Sequence, residues 1–312
     1  MSDSISSQIV DVSHKADASG YLCKFPVIFD KAPLFPNDNT LCGLVLRQSN
    51  SVLFKKPKIN KALLDDVPSN PFLPHHPDSF VTELSHFYNL LLNKFVAVPC
   101  HCLLVTKQFL PQWLPVCYID CEAVDRVLKD IDGFVFFNNG LNSGTSQPHK
   151  HLQFIPLPLS KEVNCPLRTM VASMNVDFYS VATINQFSFK HAVVKFKHLD
   201  YTRPDFPMLI LRAYQDIALF LGIKPFLSQY SDYLAHDFDD LQIYHHVEHL
   251  LPSYSFIVLR DFVFITLRKS SNAFGIDLNS SAFMGSIYVK TNEQFEFVRE
   301  NGIIKILEEL AE

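Results

Sequence analysis

Glycine is scarce in this chain, nine in 312 residues, and neither Gly-x-x-x-x-Gly-Lys-Ser/Thr nor Gly-x-Gly-x-x-Gly occurs. The nucleotide folds built on those loops are therefore disfavoured. No Cys-x-x-Cys pair occurs either, so the ligand pairs of a structural zinc site are missing. The nearest arrangements are Cys100-His101-Cys102, Cys117 with Cys121, and His245-His246 with His249. On a helix His245 and His249 would share a face and could hold a cation, but Tyr244, Val247 and Leu250 suit an ordinary helix packing its apolar side. Ser-His neighbours such as Ser85 and His86 lack the glycine pattern of a nucleophile elbow. There is no basic excess: 27 Lys and Arg stand against 32 Asp and Glu, a formal charge of -5, which argues against a general nucleic-acid binder. No apolar run is long enough to span a bilayer, and the start, Met-Ser-Asp-Ser-Ile-Ser-Ser-Gln, lacks the basic-then-apolar layout of a signal peptide. A cytoplasmic protein with no membrane partner is expected. The seven cysteines are an odd number without a dense framework, which fits reduced, mostly buried thiols.

What the chain has is apolar bulk. At 48% hydrophobic content it can bury a large core in one big domain or two smaller ones, and most of its 28 phenylalanines belong to that core. Residues 1 to about 20 read as a helix or a polar arm, and Gly43 to Phe54 as a strand. Lys55 to Pro77 reads as a long surface loop. Phe80, Leu84, Phe87 and Leu91 have helical spacing. Asp120 ahead of Val124, Val127, Leu128 and Ile131, with Gly133 behind, punctuates a short helix. Gly133 to Asn138 is a buried apolar strand, Asn139 to Gln147 a loop, and His149 to Leu157 the returning strand. Farther on, strands are expected around Asp177 to Thr183 and Ser188 to Lys195, then a helix from Pro207 to Leu221 that opens on proline and closes at Gly222. Ser253 to Leu259 and Phe262 to Leu267 form a hairpin turning at Arg260-Asp261, and Gly285 to Val289 adds a strand. Closing helices begin with a Thr291 and Gln294 capping box and are interrupted by Gly302. Two passes of sheet then helix make an α+β fold.

The segment from Asn138 to Pro156, Asn-Asn-Gly-Leu-Asn-Ser-Gly-Thr-Ser-Gln-Pro-His-Lys-His-Leu-Gln-Phe-Ile-Pro, carries the chemistry. If extended, it puts His149, His151 and Gln153 on one face and Lys150, Leu152 and Phe154 on the other. A neutral imidazole can attack phosphorus at pH 7, so this row behind a small polar loop points to nucleotidyl transfer through a histidine intermediate. Spacing alone fits a surface strand with two solvated histidines equally well.

His-x-His-x-Gln after Ser-Gly-x-Ser-Gln resembles the signature of the diadenosine tetraphosphate phosphorylases, or ATP adenylyltransferases, the fungal-type branch of the histidine-triad superfamily. Leu90-Leu-Leu-Asn-Lys-Phe-Val-Ala-Val-Pro-Cys-His-Cys-Leu-Leu-Val-Thr106 is similar to that family's pattern in order, and puts Leu90 to Asn93 on a strand. Ser253-Tyr254-Ser255 and Asn279 to Gly285 are similar to its later motifs. The resemblance implies an antiparallel, histidine-triad-like sheet with helices, built from two fused half-units. Residues 1–160 would carry the catalytic strand and residues 161–312 would complete the nucleotide site.

By the same resemblance His151 is the nucleophile toward the α-phosphorus of diadenosine tetraphosphate, releasing ATP, after which phosphate takes the adenylyl group to give ADP. Gln153 would donate to a phosphoryl oxygen and His149 would orient or protonate. Asn138 and the loop Gly144, Thr145, Ser146 and Gln147 would cradle phosphate oxygens. Lys56, Asn93, Lys94, Ser253, Tyr254, Ser255 and Arg260 would supply further substrate contacts. Ser255 stands where the family has asparagine and Arg260 where it usually has lysine, which bears on substrate preference more than on reaction type. No resident cofactor or metal site is implied beyond a divalent cation such as Mg2+ accompanying the nucleotide, and a monomer is expected. Two other readings are a sugar-1-phosphate uridylyltransferase, disfavoured by the missing zinc ligand pairs, and an idle nucleotide-binding regulator, disfavoured by intact His151 and Gln153.

Overall fold

The computed structural model describes residues 4–48, 70–223 and 252–312. The N-terminal part supplies α1 (Ile5–Ala18), β1 (Cys23–Lys24), β2 (Val27–Phe35), β3 (Asp38–Gln48), β4 (Phe80–Glu83), β5 (Tyr88–Leu92), β6 (Phe95–Val96) and β7 (Cys102–Thr106). The middle supplies α2 (Tyr118–Asp130), β8 (Gly133–Asn139), β9 (His151–Pro156), α3 (Pro166–Ser173), β10 (Val181–Ala182), β11 (His191–Lys195) and α4 (Phe206–Phe220). The remainder is β12 (Tyr254–Val258), β13 (Phe262–Leu267), β14 (Asn272–Ala273), β15 (Ile276–Asp277), β16 (Ser286–Val289) and α5 (Asn292–Leu310).

Strand β8 reads Gly-Phe-Val-Phe-Phe-Asn-Asn, apolar at consecutive positions, and all seven residues are buried. Such a strand must be covered on both faces. It lies near the middle of a nine-stranded sheet ordered β10-β11-β13-β12-β8-β9-β7-β5-β4, antiparallel at every pairing. Val135 and Phe137 join a core with α1, α2 and α4, whereas Phe134 and Phe136 join one with α3, α5 and the three-stranded sheet β16-β3-β2. Each such side chain contributes about 1.5–3 kcal/mol on burial. Gly133 allows this packing, since a Cβ there would meet Phe154 Cε2 at 2.5 Å.

The connectivity repeats. Among the described residues β7, α2, β8 and β9 follow one another as β11, α4, β12 and β13 do, and β8 pairs antiparallel with β12 at the centre. The two units differ in their hairpin connectors: residues 140–150 between β8 and β9, but only residues 259–261 between β12 and β13. The sheet thus contains two similar half-units, of which only the first has a long loop at its hairpin.

The helical spacing at Phe80 to Leu91 does not give a helix. β4 and β5 occupy it, because Tyr88, Leu90 and Leu92 alternate inward toward one core while Leu91 faces another, and the Ser85 hydroxyl caps the turn by accepting from the backbone N–H groups of Phe87 and Tyr88 at 3.1 and 3.2 Å. The strand expected at Asp177 to Thr183 shortens to Val181–Ala182. Helix α5 is broken where Gly302 adopts φ 75°, ψ 158°. His245 and His249, and most of the loop from Lys55 to Pro77, lie outside the described residues.

Candidate active site

Alternation along β9 places His151, Gln153 and Ile155 toward one face and Leu152 and Phe154 toward the helix-covered core. Lys150, just before the strand, is buried on the core side and ion-paired with Asp120 at 2.7 Å. Asp120 also accepts from the Tyr88 hydroxyl and, at 2.8 Å, from the Cys117 backbone N–H at the start of α2. Burial is the largest influence and by itself would lower the Lys150 pKa, but the charge and hydrogen bond of Asp120, together with Cys117 and Cys121, raise it above the ordinary lysine value.

His151 is 3% exposed. Its Nδ1 lies 2.8 Å from the backbone carbonyl oxygen of His149. A carbonyl only accepts, so Nδ1 carries the proton and Nε2 keeps its lone pair. Burial lowers the imidazole pKa to about 4, so the ring is neutral at pH 7. The backbone is held by Gln112, buried where β8 and β9 separate: its Oε1 accepts from His151 N–H at 2.8 Å, and its Nε2 donates to the His151 and Asn138 carbonyls at 3.1 Å each.

The orientation of Gln153 follows from a chain of donors beginning at a backbone N–H. Phe95 N–H donates to Asn93 Oδ1 at 3.0 Å, so Asn93 Nδ2 is the donor toward His101 Nδ1 at 3.1 Å. His101 must then carry its proton on Nε2, which donates to Gln153 Oε1 at 3.0 Å. The Gln153 amide nitrogen, unbonded to any described residue, is left as the group available to a ligand. His149 has a parallel arrangement: Phe72 N–H donates to Asn70 Oδ1 at 3.0 Å, and Asn70 Nδ2 donates to His149 Nδ1 at 2.9 Å. His149 Nε2 then donates toward the Thr106 carbonyl at 2.9 Å, with the Thr106 hydroxyl at 2.8 Å. His149 is fully buried and its pKa is lowered to about 4, chiefly by burial. Both its nitrogens are engaged, and it touches the reactive ring through its carbonyl oxygen.

Asn138 sits at the end of β8 beside these groups. Its Oδ1 accepts from Ser280 N–H at 2.9 Å and the Ser280 hydroxyl at 2.6 Å, which fixes the amide with Nδ2 unbonded to any described residue. Thr145 Oγ1 donates to the Asn138 carbonyl at 2.8 Å and ties the loop back to the strand. Gly144 adopts φ 83°, and a Cβ there would meet the Leu278 carbonyl oxygen at 2.5 Å, so a side chain is excluded on both counts. Ser146 is exposed and Gln147 half-buried on the outer side of this loop.

The remaining expected residues divide. Ser253 accepts from Asn142 N–H at 3.2 Å at the loop's edge, and Ser255 is fully buried beside Asn138. Lys94 is exposed next to Asn93, its Nζ 5.3 Å from the centre of the Tyr21 ring. Lys56 lies outside the described residues. Tyr254, contrary to expectation, faces the helix-covered core, its hydroxyl 3.0 Å from that of Tyr214, because strand alternation sends it to the face opposite Ser253 and Ser255. Arg260 is also elsewhere. It lies past the Val258–Val135 end of its strand, about 15 Å along the sheet from the loop at ~3.3 Å per residue. There it donates to the Leu128 and Lys129 carbonyls at 2.6 and 3.3 Å, capping the C-terminus of α2, and stacks on Tyr201 at 4.3 Å.

Residues 2–173 match the sequence model of the Ap4A phosphorylase N-terminal domain. The chain belongs to the Ap4A phosphorylase family. Residues 185–311 of this Ap4A phosphorylase-family chain match the ATP adenylyltransferase C-terminal domain. It is 27% identical over 263 residues to the diadenosine 5',5'''-P1,P4-tetraphosphate phosphorylase 2 of Saccharomyces cerevisiae, covering 79% of this chain and 76% of that protein. Its fold superimposes on the crystal structure of yeast Ap4A phosphorylase Apa2 in complex with AMP with a TM-score of 0.74 at 22% identity, covering 100% of this chain and 98% of that one. The Apa2 complex with Ap4A gives the same TM-score at 20% identity and the same coverage.

In this family member the sequence reading missed Asn70, His101, Thr106, Gln112 and Ser280, which hydrogen-bond His149, Gln153, His151 and Asn138. His101 and Thr106 lay inside the quoted Leu90 to Thr106 pattern and Ser280 inside the quoted Asn279 to Gly285 motif, all without a role, whereas Asn70 and Gln112 left no local signal. Among the described residues, no group of three or more His, Cys, Asp or Glu side chains is placed to hold a metal ion, and no helix is long and apolar enough to cross a membrane.

Proposed function

We propose that this chain catalyses phosphorolysis of diadenosine tetraphosphate, and the observation that carries the reading is the neutral His151 with its proton fixed on Nδ1. Nε2 attacks the α-phosphorus, an N–P bond forms, the α–β bridging P–O bond breaks, and ATP leaves. The ring becomes cationic, and its Nδ1–H tightens against the His149 carbonyl. Inorganic phosphate then attacks the same phosphorus; the N–P bond breaks, ADP is formed and neutral His151 returns. The reaction is reversible adenylyl transfer, for which positioning and charge stabilisation are the main demands.

Gln153 donates to a phosphoryl oxygen through its amide nitrogen, Asn138 Nδ2 to another, and Gly144, Thr145, Ser146 and Gln147 offer backbone and side-chain donors. The role of His149 is to orient His151, which fits its two engaged nitrogens better than proton transfer does. Lys56, Asn93, Lys94, Ser253 and Ser255 remain as contacts or supports; Tyr254 and Arg260 are not among them. Mg2+ would arrive with the polyphosphate as part of the substrate. Residues 1–160 and 161–312 act as the catalytic and completing halves of one monomer. Seven unpaired cysteines support a reducing compartment such as the cytoplasm.

The test is product analysis by ion exchange with and without phosphate. Wild-type protein is expected to need phosphate and to give ADP plus ATP. Gln153→His, which adds a group able to exchange protons near pH 7, should divert product to AMP. Phosphate-independent AMP formation by the wild type would count against phosphorolysis.

A further inference from the structure

Arg268, just past β13, is 1% exposed, yet it has no carboxylate partner among the described residues. Its Nη1 donates to Ser255 Oγ at 3.0 Å and to the Ser143 carbonyl at 3.5 Å. Its Nη2 donates to the Ser270 and Leu278 carbonyls at 2.9 and 3.2 Å, and its Nε to Ser270 at 3.3 Å. The guanidinium lies 5.3 Å from the centre of the Phe283 ring. These partners satisfy its donors and leave its charge without a counter-charge among the described residues, a condition that is costly unless something compensates.

The partners surround the loop just described. Ser143 immediately precedes Gly144, Leu278 is the residue against which Gly144 packs, and the following Ser280 fixes the Asn138 amide. Ser255 pairs with Asn138 across β12 and β8. We propose that Arg268 is a positioning residue for the polyphosphate: it clamps Ser143 to Leu278 and so shapes loop 140–147, and the counter-charge that no described residue provides is supplied by the substrate's phosphates. This rests on loop 140–147 being the phosphate cradle. Although burial lowers its pKa to about 9, the side chain stays charged at neutral pH. The attraction exerted from behind the loop grows with ligand charge, so Arg268 favours long phosphate chains over short ones.

The test is calorimetric affinity for AMP, ADP and ATP in wild type, Arg268→Lys and Arg268→Gln. Lysine keeps the cation and glutamine keeps donors without charge. The Gln variant should lose about tenfold or more in ATP affinity with a much smaller loss for AMP, compressing the ATP-to-AMP affinity ratio, whereas Lys should hold that ratio within about threefold of wild type. Equal losses for all three nucleotides, or an unchanged ratio in the Gln variant, would overturn the proposal by making Arg268 structural only. If the Gln variant does not fold, the Lys variant decides: a ratio collapsed despite retained charge overturns the proposal. Failure of the wild type itself to bind ATP would refute the phosphate-cradle reading and this inference with it.

Discussion

Replacing His101 with phenylalanine tests whether the Gln153 amide must be held in one orientation. The ring already packs near Phe136, centroids 6.3 Å apart, so phenylalanine keeps the shape while removing the N–H given to Gln153 Oε1 and the Nδ1 that accepts from Asn93. That hydrogen bond biases the amide by about 1–1.5 kcal/mol, or roughly tenfold in orientation. Outright removal of a transition-state donor costs about 10²–10³ in kcat. The variant falls between these bounds, with kcat reduced about 10–100-fold and KM less affected. Lost stability of about 1–2 kcal/mol should lower Tm by only a few degrees in a chain of this size. Single-turnover cleavage of diadenosine tetraphosphate, with Tm measured in parallel, is the assay. The same change in a Gln153→Ala background should have little further effect, since the relay then has nothing to orient. A folded His101→Phe enzyme within threefold of wild-type kcat, or additive losses in the double variant, would refute the relay.

Arg260→Ala should lower stability by about 1 kcal/mol by uncapping α2, with kcat and KM unchanged; a selective loss of activity would restore Arg260 to the site. The pH dependence has a definite sign. His149 and His151 have folded pKa values near 4, below the ordinary histidine value of 6.5, so the unfolded chain binds more protons between those limits. Stability is full above pH 6.5 and is lost as pH falls toward 4, by about 2 kcal/mol per histidine between pH 7 and pH 5. Urea unfolding at the two pH values measures this, and His149→Asn should remove about half of the difference. Equal unfolding free energies at both would contradict burial of two neutral imidazoles.

Both hairpins, α2 and α4 were legible because each is specified locally, by apolar runs, a capping aspartate, an opening proline or a tight turn. Where periodicity was ambiguous, as at Phe80 to Leu91, the sheet partner chose the strand. The row His151 and Gln153 was legible for the same reason, a period of two on one strand. The protonation pattern was not. It depends on Asn70 meeting His149 across 79 positions and His101 meeting Gln153 across 52, contacts that no local spacing encodes. Tyr254 was expected beside Ser253 and Ser255 by resemblance to a three-residue motif, which does not show that strand alternation turns the middle side chain to the opposite face. Arg260 was expected there because it stands where the family usually has lysine, although its hairpin turn lies at the far end of the sheet. Arg268, eight residues later, ends an apolar strand, where a charge ordinarily marks the exit to solvent.

On the proposed reading, the short connector at residues 259–261 leaves the second half without a loop at its hairpin that could hold phosphates. In the first half the corresponding hairpin opens into residues 140–150, room for a loop that turns back on Asn138 and for Gln112 to enter between the strands. The second half contributes its strand β12 and the Leu278 to Ser280 segment to the same site.

The central claim is that His151 becomes covalently adenylylated. Intact-mass spectrometry of the protein mixed with diadenosine tetraphosphate without phosphate should show an increase equal to one adenylyl group, stable to base, labile to acid, and discharged as ADP when phosphate is added. His151→Ala should bind nucleotide and never acquire the adduct. Cleavage by wild type with no adduct under rapid quench, or an adduct that persists in His151→Ala, would contradict the account.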